Sequence, residues 1–157
     1  MHRIFSFFFI FFLFLSLNLI GEKELTGPLS KEQILKNNPE WQGLVASYNP
    51  KPEIIEKIKA IHKEIQVEVF MGCWCPDCTQ HVSAYFKIME MADNPYISTS
   101  YIGIPRKREA RKEFTQGKNI VRIPTFIIYF QNREIGRIIE TPVKSVEEDL
   151  IDIIEKN

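Results

Sequence analysis

The sequence predicts an α/β fold, a central mixed sheet of four to five strands flanked by helices, with a short helical N-terminal extension. Three observations predict it. An alternating run rich in β-branched and aromatic residues at 65–71 (IQVEVFM) leads directly into a cysteine cluster and then a helical pattern. Charged, amphipathic stretches separate that run from two further strand-like runs. Two consecutive strands joined by a polar turn then precede a last amphipathic helix. The 157 residues, 45% of them hydrophobic and 25% charged, suit one core of ordinary domain size plus an extension. Acids and bases balance to a net charge of +0, which removes the electrostatic reason to expect nucleic acid as a partner.

Residues 4–20 (IFSFFFIFFLFLSLNLI) are apolar apart from Ser6, Ser16 and Asn18, with Arg3 before them and Glu22, Lys23 and Glu24 after. Residues 1–21 therefore read as a signal peptide or an N-terminal membrane anchor. The run is longer than a usual cleaved signal and just short of a full span, so both fates stay open. Gly21 could end a leader, although Leu19 is a mediocre partner for it, and the balance leans slightly to cleavage. Positive charge ahead of the run is confined to the amino terminus and Arg3. The amino end is thus expected to stay in the cytoplasm while the rest is translocated. The expected location is the periplasm or the outer face of the cytoplasmic membrane, with attachment through the N-terminal segment left open.

Residues 22–49 form the extension. Ser30-Lys-Glu-Gln reads as a capping box opening a helix that ends near Asn37-Asn38-Pro39, and a second helix follows to Tyr48, stopped by Asn49-Pro50. Trp41, at helical spacing with Leu44 and Val45, is expected to pack this extension. Residues 50–157 form the main domain. Ile54, Ile58 and Ile61 mark an amphipathic helix to about His62, and the strand 65–71 follows. After the cysteines, Val82, Phe86 and Met89 repeat at helical intervals until Asn94-Pro95. Residues 96–104 (YISTSYIGI) read as a strand and Arg106 to Phe114 as a charged helix of weaker amphipathicity, together implying a parallel crossover. Then come the buried-strand run TFIIYF after Pro124, a turn at Gln131-Asn132-Arg133, the strand EIGRIIE, and a helix on Val146, Leu150, Ile153 and Ile154.

All three cysteines, Cys73, Cys75 and Cys78, fall within one short stretch, which suits chemistry better than the stapling of a secreted fold. In a Cys-x-x-Cys at a helix start, the first thiolate faces unpaired backbone N–H groups and the positive end of the helix dipole. Cys75 is thus the expected attacking sulfur, at an exposed first turn. Cys78, four residues before Val82, shares the core-facing side and is the expected resolving sulfur. Pro76 fits the first helical position, and Asp77 puts a negative charge within a turn of Cys75. That charge opposes the thiolate and predicts a reducing couple.

The segments Phe70-Met-Gly-Cys-Trp74-Cys75-Pro-Asp-Cys78 and Val121-Arg-Ile-Pro124-Thr-Phe-Ile-Ile-Tyr-Phe resemble the thioredoxin family. The stretch from Asn119 to Ile154, with Pro-Thr-Phe, Glu-Ile-Gly-Arg and Glu-Thr-Pro, is similar to bacterial envelope thioredoxin-like proteins. The resemblance covers roughly residues 50–157 and implies a thioredoxin-like fold and a protein thiol-disulfide oxidoreductase. It implies Cys75 as nucleophile, Cys78 as resolving thiol, and Trp74 as the flat neighbour that shields the pair and contacts substrate. It also implies Pro124 as a cis-proline, with the backbone of Ile123 pairing with an extended substrate segment. No cofactor is implied beyond a redox-active Cys75–Cys78 disulfide. The expected partners are proteins carrying disulfides or thiols and an upstream membrane electron donor.

Two features depart from the family pattern. Its buried proton-relaying acid would fall on Val69, and neighbouring Glu68 lies on the opposite strand face, which puts rapid turnover in doubt. Cys73 is extra to the motif: an idle thiol, an auxiliary redox thiol, or, with Cys75, Cys78 and His81, part of a soft-metal set. Two rival functions follow. One is a copper or zinc carrier using those four residues, and the other is a non-catalytic binding protein on the same fold. His81 taken alone reads as a solvent-flanking helix residue. The cluster Arg106, Lys107, Arg108, Arg111 and Lys112 reads as a solvated helix face, with attraction to anionic lipid as the lesser alternative.

Overall fold

The computed structural model describes residues 24–157, so the leader-like segment 1–21 lies outside the described residues. Five strands form one sheet in the order β1-β3-β2-β4-β5. The strands are β1 (Gly27–Leu29), β2 (Ile65–Met71), β3 (Ile97–Gly103), β4 (Thr125–Phe130) and β5 (Arg133–Ile139), and the helices flanking them number six. β2 runs parallel to β3 and antiparallel to β4, while β1 and β5 close the two edges antiparallel to β3 and β4. This is the expected mixed sheet, thioredoxin-like in its fold.

The helix expected on Ile54, Ile58 and Ile61 to about His62 stops at Lys59 and turns Ile55 rather than Ile54 into the core, while the other long helices follow their sequence signals. Helix α1 (Lys31–Asn37) opens on the capping box: the Ser30 Oγ accepts the Gln33 N–H at 3.2 Å and the Gln33 side chain accepts the Ser30 N–H at 2.8 Å. Helix α2 (Glu40–Ser47) starts after Pro39 and stops before Pro50, and α3 (Pro52–Lys59) buries Ile55 and Ile58. Helix α4 (Pro76–Ala92) ends at Asp93, whose left-handed backbone turns the chain toward β3. Helix α6 (Val146–Glu155) is capped by Ser145 and buries Val146, Leu150, Ile151 and Ile154.

Three local expectations are corrected. The Arg106–Phe114 segment is a 3-10 turn at Arg108–Ala110 and one helical turn, α5 (Lys112–Thr115), with no buried residue on either. Without an apolar stripe, nothing holds a longer helix against the sheet. The parallel crossover is the connection from β2 through α4 to β3, whereas the stretch after β3 brings β4 back antiparallel to β2. Strand β1 has no strand-like pattern. Its Pro28 is tolerated because it lies on an edge, and Gly103 opposite has no side chain where the Leu25 carbonyl approaches.

The N-terminal segment is no appendage. Ile34 and Trp41 are fully buried, and together with Val45 they belong to the same core cluster as Val67, Val69 and Phe86. Helix α2 packs on α4, the helix that begins at the cysteine motif. Glu147 of α6, 2% exposed, accepts the Tyr48 hydroxyl at 2.7 Å and ties the end of this segment to the opposite end of the chain. The core therefore extends well upstream of residue 50.

Candidate active site

The site is built where β2 ends and α4 begins. Strand β2 alternates Ile65, Val67, Val69 and Met71 into the core, which anchors the strand and carries the chain out at Gly72. Cys75 is the N-cap of α4, with extended backbone at φ −99° and ψ 120°, and Pro76 occupies the first helical position. The sulfur does what a capping oxygen usually does. It accepts the Cys78 backbone N–H at 3.4 Å, one of the donors a helix start leaves unpaired.

The two thiols differ sharply. Cys75 is drawn down to about 7, first by the hydrogen bond from the Cys78 thiol and then by the Cys78 and Asp77 backbone N–H groups. Burial and the Asp77 carboxylate oppose that shift without cancelling it. Cys78, fully buried, is pushed far up by desolvation and by its role as donor to Cys75, while its sulfur also accepts the Gly72 N–H at 3.4 Å. Asp77 thus acts in the expected direction, but it is the lesser influence. Cys75 also lies one position before the expected first turn and is only 6% exposed.

Across from the cysteines, the Ile123–Pro124 peptide bond is cis, and the Cys75 thiol reaches the Ile123 carbonyl at 3.5 Å. The Pro124 carbonyl accepts the Glu140 N–H at 2.7 Å, and the Thr125 hydroxyl bonds the Arg122 carbonyl at 2.6 Å, so the loop is held from both sides. Arg122 and Glu140 add an ion pair at its outer edge. Residues separated by 48 positions are thereby brought onto one sulfur.

Trp74 is half-buried and its indole N–H donates to the Ile104 carbonyl at 3.1 Å. Three residues around it were not singled out for this site from sequence. A Cβ on Gly72 would fall 2.6 Å from two indole atoms, so glycine there is what lets the ring lie down. The Arg106 and Arg111 guanidinium carbons stand 5.4 and 5.0 Å from the ring centre. Their only sequence signal was membership of a basic cluster, which carries no information on where the segment folds.

Cys73 turns away from the other two. Its sulfur accepts the Asn38 side-chain N–H at 3.2 Å at the α1–α2 junction, and burial raises its thiol above the ordinary range. In the sequence Asn38 read only as part of a helix stop, with nothing to point to Cys73. Among the described residues no three of His, Cys, Asp and Glu gather into a metal-holding group, so Cys73, Cys75, Cys78 and His81 do not form the expected alternative cluster. His81 is half-buried on α4, and burial lowers its basicity while Asp77 opposes. Val69 is fully buried and carries no acid, and Glu68 on the other strand face is bound by Lys118 and the Tyr129 hydroxyl.

An α/β domain with a dithiol at the start of a helix and a cis-proline loop against it defines a class of thiol-bearing folds. A family model described as thioredoxin matches residues 29–152, and the chain belongs to the thioredoxin family. That match begins in β1, in keeping with a core that includes the N-terminal helices. No curated protein matches the sequence. A protein of unknown function from Pseudomonas aeruginosa superposes with a TM-score of 0.57 at 20% identity, over 74% of this chain and 85% of that one. An HIV epitope scaffold does so with a TM-score of 0.57 at 20% identity, over 75% and 86%. A thioredoxin variant from Halobacterium salinarum aligns at 14% identity with a TM-score of 0.44, over 69% and 85%. The first two likenesses concern the fold alone. Family membership supports a thiol-disulfide oxidoreductase role in general terms.

Proposed function

We propose that the protein is an exported thiol-disulfide oxidoreductase that reduces protein disulfides in the cell envelope through Cys75 and Cys78. The observation that carries this reading is the asymmetry of the pair: an ionisable sulfur at about 7 on the helix start and a buried, protonated partner one turn later. The Cys75 thiolate attacks a client disulfide, forming a mixed disulfide and releasing the client's other sulfur as a thiolate. Cys78, giving up its proton, then attacks the Cys75 sulfur. The client leaves as a dithiol, and a Cys75–Cys78 disulfide holds the oxidised state. Two electrons pass from the protein to the client, and an upstream membrane donor restores them. No cofactor beyond that disulfide enters the scheme.

The reducing direction is supported by the modest depth of the thiolate shift. Strongly oxidising relatives stabilise the reduced thiolate to about 3.5, whereas reducing ones stay at about 7. Trp74, Ile123 and Pro124 serve the client: the ring as an apolar wall, the Ile123 backbone as a partner for an extended segment. Pro76 and Asp77 tune the couple. Export is supported by the apolar run at 4–20 behind Arg3.

The test is a trap. A Cys78→Ser variant, produced in the native host, is expected to accumulate covalent adducts through Cys75 that a thiol reductant releases, while Cys75→Ser accumulates none. Labelling of Cys75 in intact cells by a membrane-impermeant maleimide checks the location. Equal adduct patterns in both variants would refute the mechanism.

A further inference from the structure

The chain as a whole is electrically balanced, yet of the ten described lysines and arginines without an ion pair five fall in one short stretch, residues 106–112, whose Arg106 and Arg111 stand over Trp74. Eight ion pairs occupy cations elsewhere, on Lys31, Lys51, Lys57, Lys59, Lys118, Arg122, Arg137 and Lys144. Among the described residues, none of Arg106, Lys107, Arg108, Arg111 and Lys112 has a carboxylate at ion-pair distance. Glu109 and Glu113 lie within the segment, and the Glu24 carboxylate accepts the Arg106 backbone N–H at 3.2 Å. The segment presents no buried residue in its 3-10 turn or in α5, so core packing does not explain its composition.

Its position is set by the site. Arg111 donates from Nε to the Pro105 carbonyl at 3.0 Å and from Nη2 to the Arg106 carbonyl at 2.9 Å, which locks its guanidinium over the indole. Arg106 reaches the same ring and also lines a cleft of about 380 Å³ with Trp74, Cys73, Asn38, Asn37 and Glu24. A client segment lying on Trp74 meets these two guanidinium groups. A lipid surface held on the same face would instead cover the approach to Cys75.

We infer that Arg106, Lys107, Arg108, Arg111 and Lys112 form a recognition surface that selects client segments rich in Asp and Glu next to their disulfide. This inference rests on the oxidoreductase reading and names its substrate class. Positive charge held at Trp74, the residue that precedes Cys75 in the chain, raises the local concentration of an oppositely charged segment and speeds its arrival.

The test uses the reduced protein and three disulfides: a cyclic peptide flanked by acidic residues, the same peptide flanked by lysines, and bis(2-hydroxyethyl) disulfide. At low salt the acidic peptide is expected to be reduced about tenfold or more faster than the basic one, the ratio shrinking toward one at high salt. A triple variant Lys107→Glu, Arg108→Glu, Lys112→Glu is expected to invert the ratio, and its glutamine counterpart to flatten it. Equal rates for the two peptides, or a ratio untouched by both variants, overturn the inference while leaving the oxidoreductase reading intact. Failure of the wild type to reduce even the uncharged disulfide overturns the reading itself. Sedimentation with phosphatidylglycerol vesicles without peptide discrimination overturns the client assignment and gives the surface to lipid.

Discussion

The backbone N–H of Cys78 is aimed at the Cys75 sulfur from 3.4 Å, and the Cys78 side chain is the largest influence that lowers the Cys75 thiol below its ordinary range. The residue that later breaks the mixed disulfide in the proposed cycle is thus also the one that stabilises the attacking thiolate. Converting Cys78 to serine replaces the donor thiol by a hydroxyl and keeps the N–H. The trapping variant is therefore expected to retain a reactive Cys75.

Cys75 alkylation by iodoacetamide is expected to rise with pH and reach half its maximum near about 7, with Cys78 silent until the protein unfolds. Because the folded value lies below the ordinary 9.0, Cys75 contributes stability to the reduced protein that is fully present above pH 9. That contribution is lost as pH falls through about 7. Denaturation of reduced wild type and Cys75→Ser across this window measures it, and a stability difference independent of pH would contradict the assigned shift.

Asp77→Asn removes a carboxylate that opposes the Cys75 thiolate while keeping the backbone N–H that favours it. The thiolate becomes easier to form, the reduced state is favoured, and the couple becomes more oxidising. Equilibration with a glutathione buffer is expected to show a shift of roughly two- to threefold in the equilibrium constant. A shift in the reducing direction would remove Asp77 from the tuning.

Gly72→Ala places a methyl group where the Trp74 indole lies, 2.6 Å from its Cε2 and Nε1. The ring must move and give up its bond to the Ile104 carbonyl. Overpacking of this kind costs about 1–3 kcal/mol. Urea denaturation and Trp74 fluorescence in a Trp41→Phe background read both effects, and unchanged emission with unchanged stability would show that the ring is not seated on the glycine.

The N-terminal helices are expected to be indispensable. Trp41→Ala removes a fully buried aromatic from the α2–α4 contact, at a cost of about 3–5 kcal/mol. Tyr48→Phe leaves an oxygen of buried Glu147 without its donor, costing about 1–3 kcal/mol. A chain begun at residue 50 is expected to lack cooperative unfolding, and a cooperative melt from it would restore the boundary drawn from sequence.

Local chemistry was legible in the sequence because it is written in neighbouring residues. The period-two run of β2, the capping box of Ser30, the proline stops at 39 and 50, and the Cys75-Pro-Asp-Cys78 spacing are short-range signals, and each produced its element. By itself the sequence determined the fold class, the strand and helix order after α3, and the core-facing place of Cys78, whereas Cys75, expected at an exposed turn, is buried as well. Tertiary structure alone decided the rest. It drew β1 into the sheet at Gly103, brought Trp41 into the common core, turned Cys73 to Asn38, and stacked Arg106 and Arg111 on Trp74. Each of these joins residues far apart in the chain or with weak local preference, and such contacts gain their free energy only once the packed core has fixed the distances between them.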